Sequence, residues 1–109
     1  MEVCTVYFWN AGPALRLSAA EVIREINFGE DVDGLIDLPI KDLLERIKQA
    51  FPQHEERAGL FIGQGSVGSF EVTWTWQHLK ASVQGLPLAD RQRLIEIIED
   101  AGCTAHEAP

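Results

Sequence analysis

An α+β domain, built as an antiparallel sheet of three to four strands with helices packed on one face, is predicted by three observations. The segment 70–76 alternates Phe70, Val72, Trp74 and Trp76 with Glu71, Thr73 and Thr75, the period of a strand buried on one side and wet on the other. Three other segments place apolar residues at helical spacing between cap and stop residues. Strand, helix, helix, strand, strand, helix is also the order that gathers helices onto one side of an antiparallel sheet.

Taken in order, residues 2–9 are rich in β-branched and aromatic types and run into Asn10-Ala11-Gly12-Pro13, a cluster of turn formers, which predicts the first strand. Ser18 and Glu21 match a capping box, and Ala19, Val22, Ile23 and Ile26 follow at helical spacing before Gly29, so a helix is expected over 18–28. Residues 30–37 are an acidic connection without a clear period. Beyond Pro39, Ile40, Leu43, Leu44, Ile47 and Phe51 form one apolar stripe closed by Pro52, the second helix. Residues 53–57 read as a solvated polar segment. Gly59-Leu60-Phe61-Ile62 then leads through a glycine-rich turn into 70–76 as a hairpin. Leu79, Ala81 and Val83 continue the alternation one residue out of phase. We read this as a bulge near Gln77 and His78, with a turn into a separate short strand as the alternative. Leu94, Ile95, Ile97, Ile98 and Ala101, followed by Gly102, give the third helix, and the first residues after Cys103 are able to add an edge strand. The order resembles a ferredoxin-like split βαβ unit with an extra helix in its first crossover.

A length of 109 residues predicts one domain with one core. Nine Lys and Arg against 17 Asp and Glu give a net charge of -8, which repels phosphate backbones and anionic bilayers, so neither nucleic acid nor membrane is an expected partner. The opening Met1-Glu2-Val3-Cys4 has no basic region of a secretion signal, which points to the cytoplasm. Cys4 and Cys103 read as two thiols, with a bridge between the chain ends as the alternative, provided their Cα atoms come within about 7 Å.

Motifs with chemical content are sparse. Gly63-x-Gly65-x-x-Gly68 has the letters of a dinucleotide fingerprint, but a strand follows where that site needs a helix, so a hairpin loop is expected. Glu30, Asp31, Asp33 and Asp37 lack the ligand pattern of an EF-hand, and Cys103-x-x-His106 is a bare two-residue spacing. His54 beside Glu55 and Glu56 reads as an exposed polar loop. We therefore assign no catalytic residue, no metal ligand and no cofactor.

The candidate binding residues are Trp9, Trp74 and Trp76 together with Glu30, Asp31 and Asp33. Three tryptophans supply large apolar area, and the phase shared with Phe70 and Val72 places Trp74 and Trp76 on the helix-covered face. Part of that aromatic row lining a pocket or interface is the alternative. Three functions remain open: a small acidic module that binds a basic protein partner, a small-molecule binder or enzyme with a Trp-lined pocket between sheet and helices, and a homodimer formed through an open sheet face or edge.

Tyr7-Phe8-Trp9, Glu30-Asp31-Val32-Asp33-Gly34-Leu35, Phe51-Pro52, Phe70-Glu71-Val72-Thr73-Trp74 and Gly102-Cys103 together resemble a pattern in small stand-alone bacterial proteins of uncharacterised function, some of which sit beside toxin genes. The Tyr-Asp-Pro ending of that pattern is missing after Cys103. The resemblance implies a binding role, that of an immunity protein or similar accessory factor, and carries over no catalytic residue.

Overall fold

The first strand, β1 (Val3–Ala11), organises the molecule because it is apolar on both sides. Val6 and Phe8 point one way and Tyr7 and Trp9 the other, and all four are buried. A strand of this kind needs cover on both faces. The computed structural model describes residues 3–107 of the chain; Glu2, named in the expected first strand, lies outside them.

Along one edge β1 pairs with β6 (His78–Gln84), in a register from Val3 opposite Gln84 to Trp9 opposite His78. Along its other edge two short strands follow one another. β7 (Thr104–Glu107) lies against Val6 to Trp9, and β2 (Leu35–Ile36) lies against Asn10 and Ala11. Beyond β6 the sheet continues through β5 (Ser69–Trp74), β4 (Leu60–Gln64) and β3 (His54–Arg57), making seven strands among the described residues.

The α+β class holds, and the details differ from expectation. The sheet has seven strands, not three to four. Every pairing among the described residues is antiparallel, so they contain no parallel pair of the kind a βαβ crossover creates and do not form the ferredoxin-like arrangement. The polar segment 53–57 is not a loop: it contains β3, all four of whose residues are exposed. At a sheet edge, a strand can be wholly wet and still satisfy one row of its backbone groups through its neighbour. The phase shift near Gln77 comes from a turn that separates β5 from β6, not from a bulge.

Helix α1 (Ala19–Asn27) begins with the expected capping box: the Glu21 N–H donates to Ser18 Oγ at 3.3 Å and the Ser18 N–H to Glu21 Oε1 at 3.1 Å. It buries Val22 and Ile26 against Tyr7, Trp9 and Val32. Helices α2 (Ile40–Ala50) and α3 (Leu88–Glu99) bury Leu43, Ile47, Leu94 and Ile98 against Val6, Phe8, Phe61, Phe70, Val72 and Leu79. The helices thus cover both faces of β1, which corrects the expectation of one covered face and one core. Each large apolar side chain withdrawn in this way contributes about 1.5–3 kcal/mol.

Glycines fix the β4–β5 hairpin. A Cβ on Gly63 would sit 2.2 Å from Cζ of Phe70, so the bare backbone is what lets the phenyl ring lie across its partner strand. In the loop, Gly68 at φ 75° accepts from the Gly65 N–H at 3.3 Å. Asp90, near the start of α3, reaches the same loop and accepts from the Ser66 N–H and Oγ–H at 3.1 and 3.0 Å.

Candidate functional site

Strand β5 ends at Trp74, and the chain reverses through Thr75, Trp76 and Gln77 into β6. The Thr75 N–H donates to the His78 carbonyl at 3.0 Å, and the Gln77 N–H donates to Thr75 Oγ1 at 3.2 Å. These bonds turn the Gln77 side chain inward, where it is 6% exposed. Its amide pairs with the backbone of Val32, 45 positions away in sequence. The Val32 N–H donates to Oε1 at 2.9 Å, and Nε2 donates to the Val32 carbonyl at 2.8 Å.

This two-bond clamp does for one residue what a neighbouring strand does for a ladder, satisfying a backbone donor and acceptor that burial would otherwise leave unpaired. A second tie lies close by, where the Leu38 N–H donates to the Trp76 carbonyl at 2.9 Å. The connection between α1 and α2 is therefore hung at two points on the β5–β6 turn.

Opposite fates follow for neighbouring side chains. Val32 is buried in the smaller core, while Glu30, Asp31 and Asp33 around it are exposed. Trp76 stands 52% exposed on the turn that holds them, and Phe28 and Ile36 of the same connection are exposed at 73% and 45%. Four of the six residues named from the sequence, Trp76, Glu30, Asp31 and Asp33, thus lie on the two segments that the clamp joins. Asp33 also borders a cleft of about 400 Å³ lined by Ala14, Arg16, Leu17 and Glu25.

The other two belong to packing. Trp9 is 2% exposed and stacks on His106 with ring centroids 3.9 Å apart and planes 6° from parallel. Trp74 is half-buried against the larger core. Placing Trp76 on the covered face beside Trp74 is corrected, because the period of two stops where the hairpin turns. The Trp-lined pocket between sheet and helices is not formed by Trp9, whose ring lies under α1 and His106. The clefts at Gln53, His54, Glu55, Ile62 and Gln64, and at Pro52, Ser66, Asp90 and Arg93, have no tryptophan in their walls.

Two histidines border Trp9. His78 is its partner in the β1–β6 register, and its Nδ1 lies 2.9 Å from Thr75 Oγ1. Burial holds His78 below the ordinary histidine range, and Lys80 adds to the effect. Burial lowers His106 as well. Lys80 reaches Asn27 Oδ1 at 3.5 Å and lies 5.5 Å over the Tyr7 ring, whose hydroxyl donates to the same Asn27 oxygen at 3.0 Å.

Both cysteines are free. Cys103 immediately precedes Thr104, which is registered with Trp9, so it lies some five or six positions along β1 from Cys4, or about 15–20 Å, well past bridging distance. Cys103 faces the larger core while His106 stacks on Trp9 across the sheet, so this pair does not converge on one point. The Gly63-x-Gly65-x-x-Gly68 letters form the hairpin loop described above. His54, Glu55 and Glu56 sit on β3, where His54 Nδ1 lies 2.9 Å from the Phe51 carbonyl.

Gln77 and Thr75, which assemble this end of the molecule, were not singled out by the sequence reading. The one available signal was a glutamine at a break in the apolar alternation. Compared with protein-family models, with curated proteins and with solved structures, the chain matches none of them.

Proposed function

We propose that this chain is a small acidic protein-binding module of the cytoplasm that covers a basic protein partner, with Trp76 and the Glu30, Asp31 and Asp33 loop as its contact surface. The Gln77–Val32 clamp supports this reading, because it ties the loop that carries three exposed carboxylates to the turn that carries a half-exposed tryptophan before any partner arrives. Pre-ordering removes part of the entropy cost of association. Tryptophan is among the residues on which interface energy concentrates, and carboxylates around it favour a cationic partner and speed its encounter. The net charge of -8 acts in the same direction at longer range. An immunity-type role, in which the module caps a basic toxin, is the form of this reading that the sequence resemblance suggests.

The test is site-directed photocrosslinking in the native host, with a benzoylphenyl side chain at position 76 and, as control, at Val67, an exposed residue of the β4–β5 loop. The expected outcome is a basic protein captured at 76 and not at 67, lost at high salt and when Glu30, Asp31 and Asp33 are changed together to Gln, Asn and Asn. Equal capture at both positions, or capture indifferent to the neutralised loop, refutes the assignment.

A further inference from the structure

We infer that the cleft between the β4–β5 loop, the end of α2 and the first turns of α3 binds a free α-amino acid in its zwitterionic form, with Arg93 taking the carboxylate and Asp90 the ammonium. The cleft has a volume of about 460 Å³, and Phe51, Gln53, Gln64, Ser66, Asp90 and Arg93 stand in its walls. Both charged groups are set in place by contacts that leave binding positions open. The Arg93 guanidinium carbon lies 4.4 Å from the centre of the buried Phe51 ring. A guanidinium stacked by its face keeps its N–H donors around the edge, where a carboxylate accepts two in parallel. Asp90 is fixed through one oxygen: Oδ2 accepts the Ser66 N–H and Oγ–H at 3.1 and 3.0 Å. A Cβ on Gly65 would come within 2.7 Å of that oxygen, so a bare backbone lets the loop close on the carboxylate. Oδ1 faces Arg93 Nη2 at 3.6 Å, past hydrogen-bond length, and so keeps acceptor capacity for a ligand.

The charged pair selects the ligand class. With Arg93 half exposed, so long an ion pair contributes little to stability, and a ligand that parts it forfeits little. A simple anion is repelled by Asp90 and by the net charge of -8, and a simple cation is repelled by Arg93. An α-amino acid carries both charges two bonds apart and no net charge. It meets each group with the opposite sign and enters the negative field of the protein without penalty. Beyond the pair, Gln53 and Gln64 lie next to each other, the Gln64 N–H donating to the Gln53 carbonyl at 3.0 Å, and both also line the neighbouring cleft with His54 and Ile62. Their side-chain amides offer donors and acceptors to a ligand side chain that itself ends in an amide. Neither Trp76 nor the acidic loop lines this cleft, so the site stands apart from the contact surface proposed above.

NMR titration of the protein with L-glutamine tests the site. Saturable shifts are expected at the Gly65 and Ser66 backbone amides and at the Gln53 and Gln64 side-chain amides, with the Trp76 indole N–H unmoved. N-acetyl-L-glutamine, which lacks the ammonium, and L-glutaminamide, which lacks the carboxylate, should each bind about tenfold more weakly or worse, the loss of one charged contact. Arg93→Gln should erase the preference for L-glutamine over L-glutaminamide, and Asp90→Asn should erase the preference over the N-acetyl compound. These are preferences within one folded variant, which a general loosening of the loop would not remove selectively. An absence of saturable shifts at millimolar L-glutamine, analogues that bind as well as L-glutamine, or preferences that survive both substitutions overturn the inference.

Discussion

Replacing Gln77 by alanine removes both hydrogen bonds to Val32 and leaves that residue's N–H and C=O facing an apolar surround. The two bonds, at 2.9 and 2.8 Å, are worth about 1 kcal/mol each in net terms. Leaving either backbone group buried without a partner costs about 1–3 kcal/mol, less whatever water recovers as the loop lifts. Together these give a loss of about 2–4 kcal/mol, a large part of the 5–15 kcal/mol typical of a domain. For a domain near 100 residues the melting temperature should fall by roughly 8–16 °C. Gln77→Glu should do no better, since the carboxylate still accepts from the Val32 N–H but sets an oxygen against its carbonyl. Urea melts give the free energy, and hydrogen exchange at the Val32 amide locates it, with an increase of at least about tenfold expected for each 1.4 kcal/mol lost locally. An alanine variant within about 0.5 kcal/mol of the parent, with Val32 exchange unchanged, would show that the clamp does not hold the loop, and the proposed contact surface would lose its basis.

The tryptophans should separate by role in urea melts: Trp9→Ala should cost about 3–5 kcal/mol as a buried aromatic, and Trp76→Ala should stay within about 0.5 kcal/mol, and the reverse ranking would exchange their assignments. Gly63→Ala should destabilise by about 1–3 kcal/mol, because the new Cβ meets a buried Phe70 ring that has no room to move; a neutral result would mean the hairpin shifts freely. Asp90 is held below the ordinary carboxylate range first by the Ser66 backbone N–H, then by the Ser66 hydroxyl and by Arg93. Its contribution is present above the unfolded value of about 3.9 and lost as pH falls through the lowered folded value. The urea midpoint should therefore drop more steeply on acidification in the parent than in Asp90→Asn, and parallel curves would contradict the assignment.

The helices were legible because their signals are local. Ser18 and Glu21 cap where expected, and the apolar stripes of Leu43 with Ile47 and of Leu94 with Ile98 are the ones that become buried. The sheet was less legible because its marginal strands owe their existence to neighbours. His54 to Arg57 shows no alternation, since an edge strand exposed on both faces has none to show, and Leu35–Ile36 is two residues long. The position of α1 was readable in principle: four consecutive buried residues, Val6 to Trp9, are what a strand covered on both faces looks like. Trp76 and the acidic loop could be named one by one, but their meeting depends on a side-chain-to-backbone pairing across 45 positions, for which no spacing rule exists.

The placing of β1 also has a consequence in time. Val6 lies opposite Ala81, 75 positions on, and opposite Glu107 on its other edge, whereas β3, β4 and β5 each reach their next partner through a short turn. Local hairpins close quickly and distant pairings wait for the intervening chain to be organised. The strand richest in apolar residues on both faces is thus made early and docked late. Until the meander is complete, Val6, Phe8, Tyr7 and Trp9 are an unsheathed adhesive strip, and the interval before β6 arrives is when the chain is most exposed to aggregation.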